Sequence, residues 1–121
     1  MITQMKSRLN ANARLVEQGR LVSGTVLMRV GDDAYKLIFD KGGLVDIQQG
    51  PFPMPNVDFT ISAAAEEWRD FWQPVPKPGS HDPMAMLKRR VLTLEGNMHL
   101  FMSNLFYFKA VFALLREEKG Q

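Results

Sequence analysis

The side chains able to do acid–base, nucleophilic or metal chemistry are few in this chain, and they are scattered. His81 and His99 are its only histidines, and neither HxxxH nor HxH spacing occurs. No helix turn or strand therefore offers two imidazoles to one ion, and a general base needs a partner within hydrogen-bond reach. His81 precedes Asp82, an adjacency that aims the two side chains apart, so a surface or capping role is expected. His99 falls on a polar strip with Ser103 and Tyr107, facing solvent or the polar end of a ligand. There is no Gly-x-Ser-x-Gly elbow, and Ser23-Gly24 sits at a strand start. The acidic pairs Asp32-Asp33, Glu66-Glu67 and Glu117-Glu118 fall in turns or near helix ends, where water satisfies them. Gly42-Gly43 leads into a strand instead of a helix, which makes it a hairpin turn and not a phosphate cradle. With no cysteine, disulfides, thiolate metal sites and a cysteine nucleophile are excluded. No catalytic residue, no metal site and no cofactor is expected. The sharpest basic cluster is Lys88-Arg89-Arg90, with Lys77 nearby. It suits a helix C-terminus, which favours cations, or a touchdown point for anionic lipid headgroups.

The remaining candidates are apolar: Trp68, Phe71, Trp72, Met84, Met86, Leu87, Met98, Phe101, Met102, Leu105, Phe106 and Phe108. Such residues pack cores. They also line ligand cavities, and Met, flexible and polarisable, adapts to guests of varying shape. The chain has eight Met, more than a rigid core favours. From Met98 onward the only formal charge before Arg116 is Lys109. At 100° per residue, Phe101, Leu105, Phe108, Phe112 and Leu115 form one broad stripe. Met102, Phe106 and Ala113 form a second, and Leu100, Val111 and Leu114 a third. One stripe suffices for a surface helix. The surplus answers to a ligand cavity, a second copy of the chain or the N-terminal helix.

These residues must be positioned by a small α+β frame. At 121 residues the chain fits one domain with a real core. Its 15 basic and 13 acidic residues are too balanced for a nucleic-acid footprint. The N-terminus lacks the apolar core of a signal peptide. The last helix, about 28 Å long, has the length to reach across a bilayer, but His99, Ser103, Asn104 and Lys109 argue against that. A soluble, cytoplasmic protein is expected, with at most transient membrane contact.

Along the chain, residues 3–18 read as a helix with Ile2, Met5, Leu9, Asn12 or Ala13, and Val16 on one side, stopped at Gly19. Strands follow at 25–30, 35–40 and 44–48, joined by Gly31-Asp32-Asp33 and Lys41-Gly42-Gly43 as a meander. Gly50-Pro-Phe-Pro-Met-Pro55 cannot continue a ladder and reads as an extended crossover. Val57, Phe59 and Ile61 alternate with polar residues as a fourth strand. Ser62 is placed to cap a helix from 63 to about 72, with Glu66 and Glu67 in its first turns. After the proline-rich loop 73–80, Asp82-Pro83 opens a short helix. The strand Val91-Leu-Thr-Leu94 and a helix over 98–115 complete the order. The economical arrangement is one five-stranded, mainly antiparallel sheet with helices packed on one face. We expect a single domain, 1–121: an N-terminal helix (1–20), a core (21–116) and a flexible tail (117–121).

This order resembles the sterol carrier protein 2 family of lipid-binding domains. The likeness rests on the meander from Gly24 to Gly43 and on Val57-Asp-Phe-Thr-Ile-Ser62 leading to Glu66-Glu67-Trp68. It rests also on Asp82-Pro83 before an apolar helix, and on Leu92-Thr-Leu-Glu-Gly96-Asn97 before the last one. Asn97 stands where the family carries an acidic residue, and asparagine still caps a helix well; the loop 73–80 is longer and richer in proline than the family's glycine turn. The resemblance implies a curved sheet and helices enclosing a hydrophobic tunnel for a fatty acyl, sterol or isoprenoid-like molecule, with no catalytic residues. The wall would be Trp68, Phe71, Trp72, Met84, Leu87, Met98, Phe101, Met102, Leu105, Phe106 and Phe108, with Lys88, Arg89 or Arg90 meeting a headgroup. The alternative is an interaction module that joins itself or a lipid-metabolising enzyme through the surplus apolar faces.

Overall fold

The computed structural model describes residues 2–116. Five strands, β1 (Gly24–Val30), β2 (Asp33–Asp40), β3 (Gly43–Gln49), β4 (Phe59–Ala63) and β5 (Leu92–Gly96), form one sheet in the order β3-β2-β1-β4-β5. All neighbours are antiparallel except β1 and β4. The meander closes on tight turns. Between β2 and β3, Lys41 and Gly42 both have positive φ, 51° and 85°, the twist that lets a two-residue loop match its strands.

The two faces of the sheet differ. Val26, Met28, Leu37, Phe39, Leu44, Phe59, Ile61 and Leu92 point into the main core, and every helix packs on that side. Since β1 and β4 are parallel, the chain must return from the end of β3 to the start of β4 across the sheet. It crosses the outer face: Lys36, which points away from the core, holds its ammonium 4.6 Å from the centre of the Phe52 ring. Leu27 on this outer side is only 1% exposed. The proline-rich crossover needs no ladder partner, so it can lie over a sheet face.

Two helices that the periodicity draws as continuous are broken, each at an asparagine. Residues 3–18 divide into α1 (Gln4–Asn10) and α2 (Ala13–Gln18). Asn12 leaves the helical region at φ −101°, ψ 87°, and its side chain accepts from the Leu15 N–H to restart the helix. The break lets the Asn10 amide grip β3, donating to the Leu44 carbonyl and accepting from the Leu44 N–H, both at 2.9 Å. It also turns Leu15 inward in place of Val16. Residues 98–115 divide into α5 (Met98–Ser103), α6 (Leu105–Phe112) and a 3-10 turn, Ala113–Leu115. Asn104 sits at φ −126°, ψ 34°, and its side-chain amide donates to the Leu100 carbonyl at 3.0 Å.

Ser62 does not cap a helix. It lies in β4, and α3 (Ala65–Phe71) starts after an extended Ala64 with no side-chain cap. Here strand pairing with Arg29 and Thr93 outweighs the capping preference. Asp82 and Asn97 cap as expected. They accept from Met84 N–H at 2.7 Å, opening α4 (Pro83–Lys88), and from Leu100 N–H at 3.1 Å, opening α5. No helix among the described residues is long and apolar enough to cross a membrane. The expected tail, residues 117–121, lies outside the described residues.

Candidate functional site

The space between the helices and the inner face of the sheet is lined with rings. Phe101, Phe108 and Phe112 stack in series, with centres 5.9 and 6.2 Å apart and planes within 22°. Phe108 also meets Phe39 and Phe59 edge-on at 5.8 and 5.2 Å. Trp68 stacks on Trp72 at 5.5 Å. Both indoles are fixed by their polar ends: Trp68 Nε1 donates to the Arg29 carbonyl at 2.9 Å, and Trp72 Nε1 to the Phe112 carbonyl at 2.8 Å. Buried aromatic N–H groups need such partners. The softer part of the lining is Met28 and Met86, both fully buried.

Of the eleven residues expected to form a ligand wall, the structure brings nine inward. Trp68, Phe71, Trp72, Phe101 and Phe108 are buried, and Met84, Leu87, Met98 and Leu105 pack partly buried against the same core. Met102 and Phe106 are turned outward, 48% and 74% exposed. They line a surface groove of about 320 Å³ with Gln18, Ser103, Leu105 and Tyr107. Both belong to the second stripe of the wheel, which turns away from the core, while Phe101, Phe108, Phe112 and Leu115 of the first stripe are buried and Leu105 is partly so.

Tyr107 is the residue that departs from the wheel. Placed on the polar strip with His99 by spacing, it is 2% exposed and donates to the Gly42 carbonyl at 2.6 Å. Burial raises the pKa of its phenol well above the ordinary range, so Tyr107 stays neutral and keeps its donor. Its ring lies flat on Gly19, where a Cβ would collide with it. His99 stays outside, with Ser103 Oγ 3.3 Å from its ring, and exposed His81 accepts from the Gly79 N–H at 3.2 Å.

Polar clamps hold the helices together around this interior. Lys109 of α6 meets Asp82, the cap of α4, at 2.8 Å. Burial pushes the Asp82 pKa up, but the Lys109 hydrogen bond, the Met84 N–H and the nearby charges outweigh it, and the net shift is downward. Arg116 donates to the Phe71 and His81 carbonyls at 3.0 and 3.3 Å and lies over the Phe71 ring, and its partial burial lowers its pKa. Tyr35, at the rim of an apolar pocket of about 120 Å³ with Ile2, Val30 and Trp72, has a raised pKa from burial and from Asp33.

The basic cluster divides. Lys88, Arg89 and Arg90 are all exposed, but Arg89 is engaged within the protein. It donates to the Gly79 carbonyl at 2.9 Å and to Ser80 Oγ at 3.3 Å, and pairs with Glu67 at 3.5 Å. Lys77 pairs with Asp70 at 3.4 Å. Arg90 takes a left-handed backbone, φ 64°, and shares a depression with Arg29 of β1. Spacing in the sequence could not join positions 61 residues apart; the fold does, by bringing the end of α4 beside β1. Among the described residues, no group of three His, Cys, Asp or Glu side chains is placed to hold a metal ion.

One sheet with a mixed-direction centre, an aromatic interior and, among the described residues, six short α-helices on one face make up an α+β domain. Comparison with solved structures gives this arrangement its name: the chain has the sterol carrier protein 2 fold. It is similar to a crystal structure of sterol carrier protein 2 over 96% of this chain and 93% of that one, with TM-score 0.77 and 17% identity. It is similar to a UbiJ-SCP2 ubiquinone synthesis protein over 93% of this chain and 85% of that one, with TM-score 0.62 and 16% identity. It also resembles sterol carrier protein domain 2 of Helicoverpa armigera over 92% of this chain and 84% of that one, with TM-score 0.62 and 17% identity. No family model and no curated protein matches the sequence.

Proposed function

We propose that this chain binds and carries an apolar, lipid-like molecule of the fatty acyl, sterol or isoprenoid type, without catalysing a reaction on it. The observation that carries the reading is the likeness to sterol carrier protein 2 over nearly the whole chain, with aromatic and Met side chains where helices face the sheet. The ligand lodges among Trp68, Phe71, Trp72, Met84, Leu87, Met98, Phe101, Leu105 and Phe108, with Met102 and Phe106 at the entrance. Rings occupy the middle of this interior, so a guest enters by displacing them. The methionines yield first, since an unbranched thioether changes rotamer at little cost. The joint at Asn104 lets α6 shift relative to α5. Burial of the ligand supplies roughly 25 cal/mol per Å² before the entropic cost of association. Exposed Lys88 and Arg90 make transient contact with anionic headgroups during transfer, and the whole chain acts as one cytoplasmic domain.

Native mass spectrometry of purified protein and titration with a fluorescent acyl probe test this reading. One probe per chain, displaced by a fatty acid or a sterol, is the expected result. Absence of binding by every apolar probe overturns it. If the protein also runs as a dimer that Phe106→Ala converts to a monomer, the alternative holds instead. In that reading Met102 and Phe106 dock on a second copy of the chain or on a lipid-metabolising enzyme.

A further inference from the structure

On the outer face of the sheet, Arg29, Ser62 and Thr93 stand side by side on three neighbouring strands. Arg29 is opposite Ser62 in the parallel β1–β4 ladder, and Ser62 is opposite Thr93 in β4–β5. Directly opposed residues share a face, spaced about 4.8 Å apart per strand. That face is the outer one, because their chain neighbours Met28, Ile61 and Leu92 point into the core. Above this row lies a depression of about 380 Å³ lined by Arg29, Ser62, Thr93, Arg90, Asp32 and Gly31.

Arg90 reaches the depression from the end of α4 in a left-handed conformation. Residues with a Cβ are disfavoured there, and glycine is the usual occupant just past a helix. Strain of this kind persists where it serves a site. Among the described residues, neither Arg29 nor Arg90 forms an ion pair, whereas Arg20 and Arg89 do. Two unpaired guanidiniums thus flank two hydroxyls in one concavity. Guanidinium forks match the oxygens of a phosphate, and hydroxyls can donate to those that remain. Asp32 offsets one of the two formal positive charges, so the side chains lining the depression sum to about +1.

We propose that this depression is a binding site for a phosphate-type oxyanion, held between Arg29 and Arg90 and completed by Ser62 and Thr93. The oxyanion is free phosphate or a phosphate monoester, or the phosphate of a lipid headgroup. The sheet separates this depression from the helix-lined interior, so the inference stands or falls independently of the apolar ligand.

Amide NMR spectra of the full chain titrated with inorganic phosphate test it. Saturable shifts confined to residues around Arg29, Gly31, Ser62, Arg90 and Thr93 are expected. Arg29→Gln should weaken binding about tenfold or more, the loss typical of a charge-assisted pair. Arg90→Gly discriminates further. Glycine accepts the left-handed backbone freely, so this variant should melt no lower than the parent while losing phosphate. Asp32→Asn should bind phosphate more tightly. Vesicles of phosphatidylcholine with and without phosphatidic acid separate the sources. Sedimentation with the phosphatidic acid vesicles, competed by phosphate, assigns a lipid headgroup, and phosphate shifts without sedimentation assign a soluble phosphate. Neither response, or phosphate shifts that persist in Arg90→Gly, overturns the proposal.

Discussion

Phe106 and Phe108 are two residues apart in α6 and chemically identical, yet the structure gives them opposite weights. Phe108 is fully buried, with five aromatic rings centred 5.2 to 6.2 Å away: Phe39, Phe59, Phe101, Tyr107 and Phe112. Core Phe→Ala changes cost roughly 3–5 kcal/mol, the lost transfer energy plus the cavity left behind. Five ring pairs, each adding up to about 1 kcal/mol beyond burial, place this site at the upper end, about 5 kcal/mol. Phe106 is 74% exposed, and its one notable partner is the Lys109 ammonium 5.6 Å from the ring centre. An exposed cation–π contact contributes about 0.5 kcal/mol, so Phe106→Ala should cost no more than that. Urea unfolding of both variants reads the difference directly as a shift in midpoint at constant slope. Phe108→Leu is the gentler companion should the alanine variant be too unstable to measure, with about 1–2 kcal/mol expected for partial refilling. If a lipid occupies this interior, a saturating acyl probe should restore more stability to Phe108→Ala than to the parent, since the guest refills the cavity; about 2.7 kcal/mol is available at a hundredfold excess over Kd. Equal losses from the two alanine variants would refute the reasoning, because they would mean that Phe106 is covered or that Phe108 is not packed.

Three further outcomes are expected. Gly19→Ala should destabilise by about 2 kcal/mol despite alanine's better intrinsic propensity, because the new Cβ meets the Tyr107 ring; in a Tyr107→Ala background the same change should be neutral or stabilising, as a thermal-shift double-mutant cycle will show. Trp72→Phe removes the donor to the Phe112 carbonyl and leaves that buried acceptor unpaired, a loss of about 1–3 kcal/mol in chemical denaturation. The Asp82 carboxyl has a pKa below its ordinary 3.8 in the folded protein, so the unfolded chain binds the proton more readily. Its contribution to stability is therefore present above that ordinary value and is lost as pH falls through the folded pKa. Asp82→Asn should flatten the acid limb of a stability-against-pH curve, and Lys109→Met should do the same.

Much of the frame was readable residue by residue. Strand alternation in Tyr35, Leu37 and Phe39, the Gly-containing turns, and the caps at Asp82 and Asn97 depend on neighbours a few positions away, and local physics decides them. The proline-rich stretch after Gly50 was legible as a crossover for the same reason. Periodicity failed at Asn12 and Asn104. Nothing in the spacing separates an asparagine that rides on a helix from one that ends it. What ends α1 is a chance for Asn10 to pair with Leu44 on β3, a partner 34 positions away. Ser62 failed similarly, since a residue able to cap was claimed by the sheet. The wheel separated Met102 and Phe106 from the Phe101 stripe, but spacing alone does not say which stripe meets the sheet; packing turned theirs outward.

The composition, the turn chemistry and the order of apolar runs determined by themselves that this chain makes a small α+β frame rich in aromatic and Met side chains. Those features act over a few residues, and the chain carries them wherever it goes. The tertiary structure alone decided which phenylalanine is inside, that Tyr107 is locked on Gly42, and that Arg29 stands beside Ser62 and Thr93. Register and helix rotation are set by packing between elements distant in sequence, and the free energy of that packing has no counterpart in any local window.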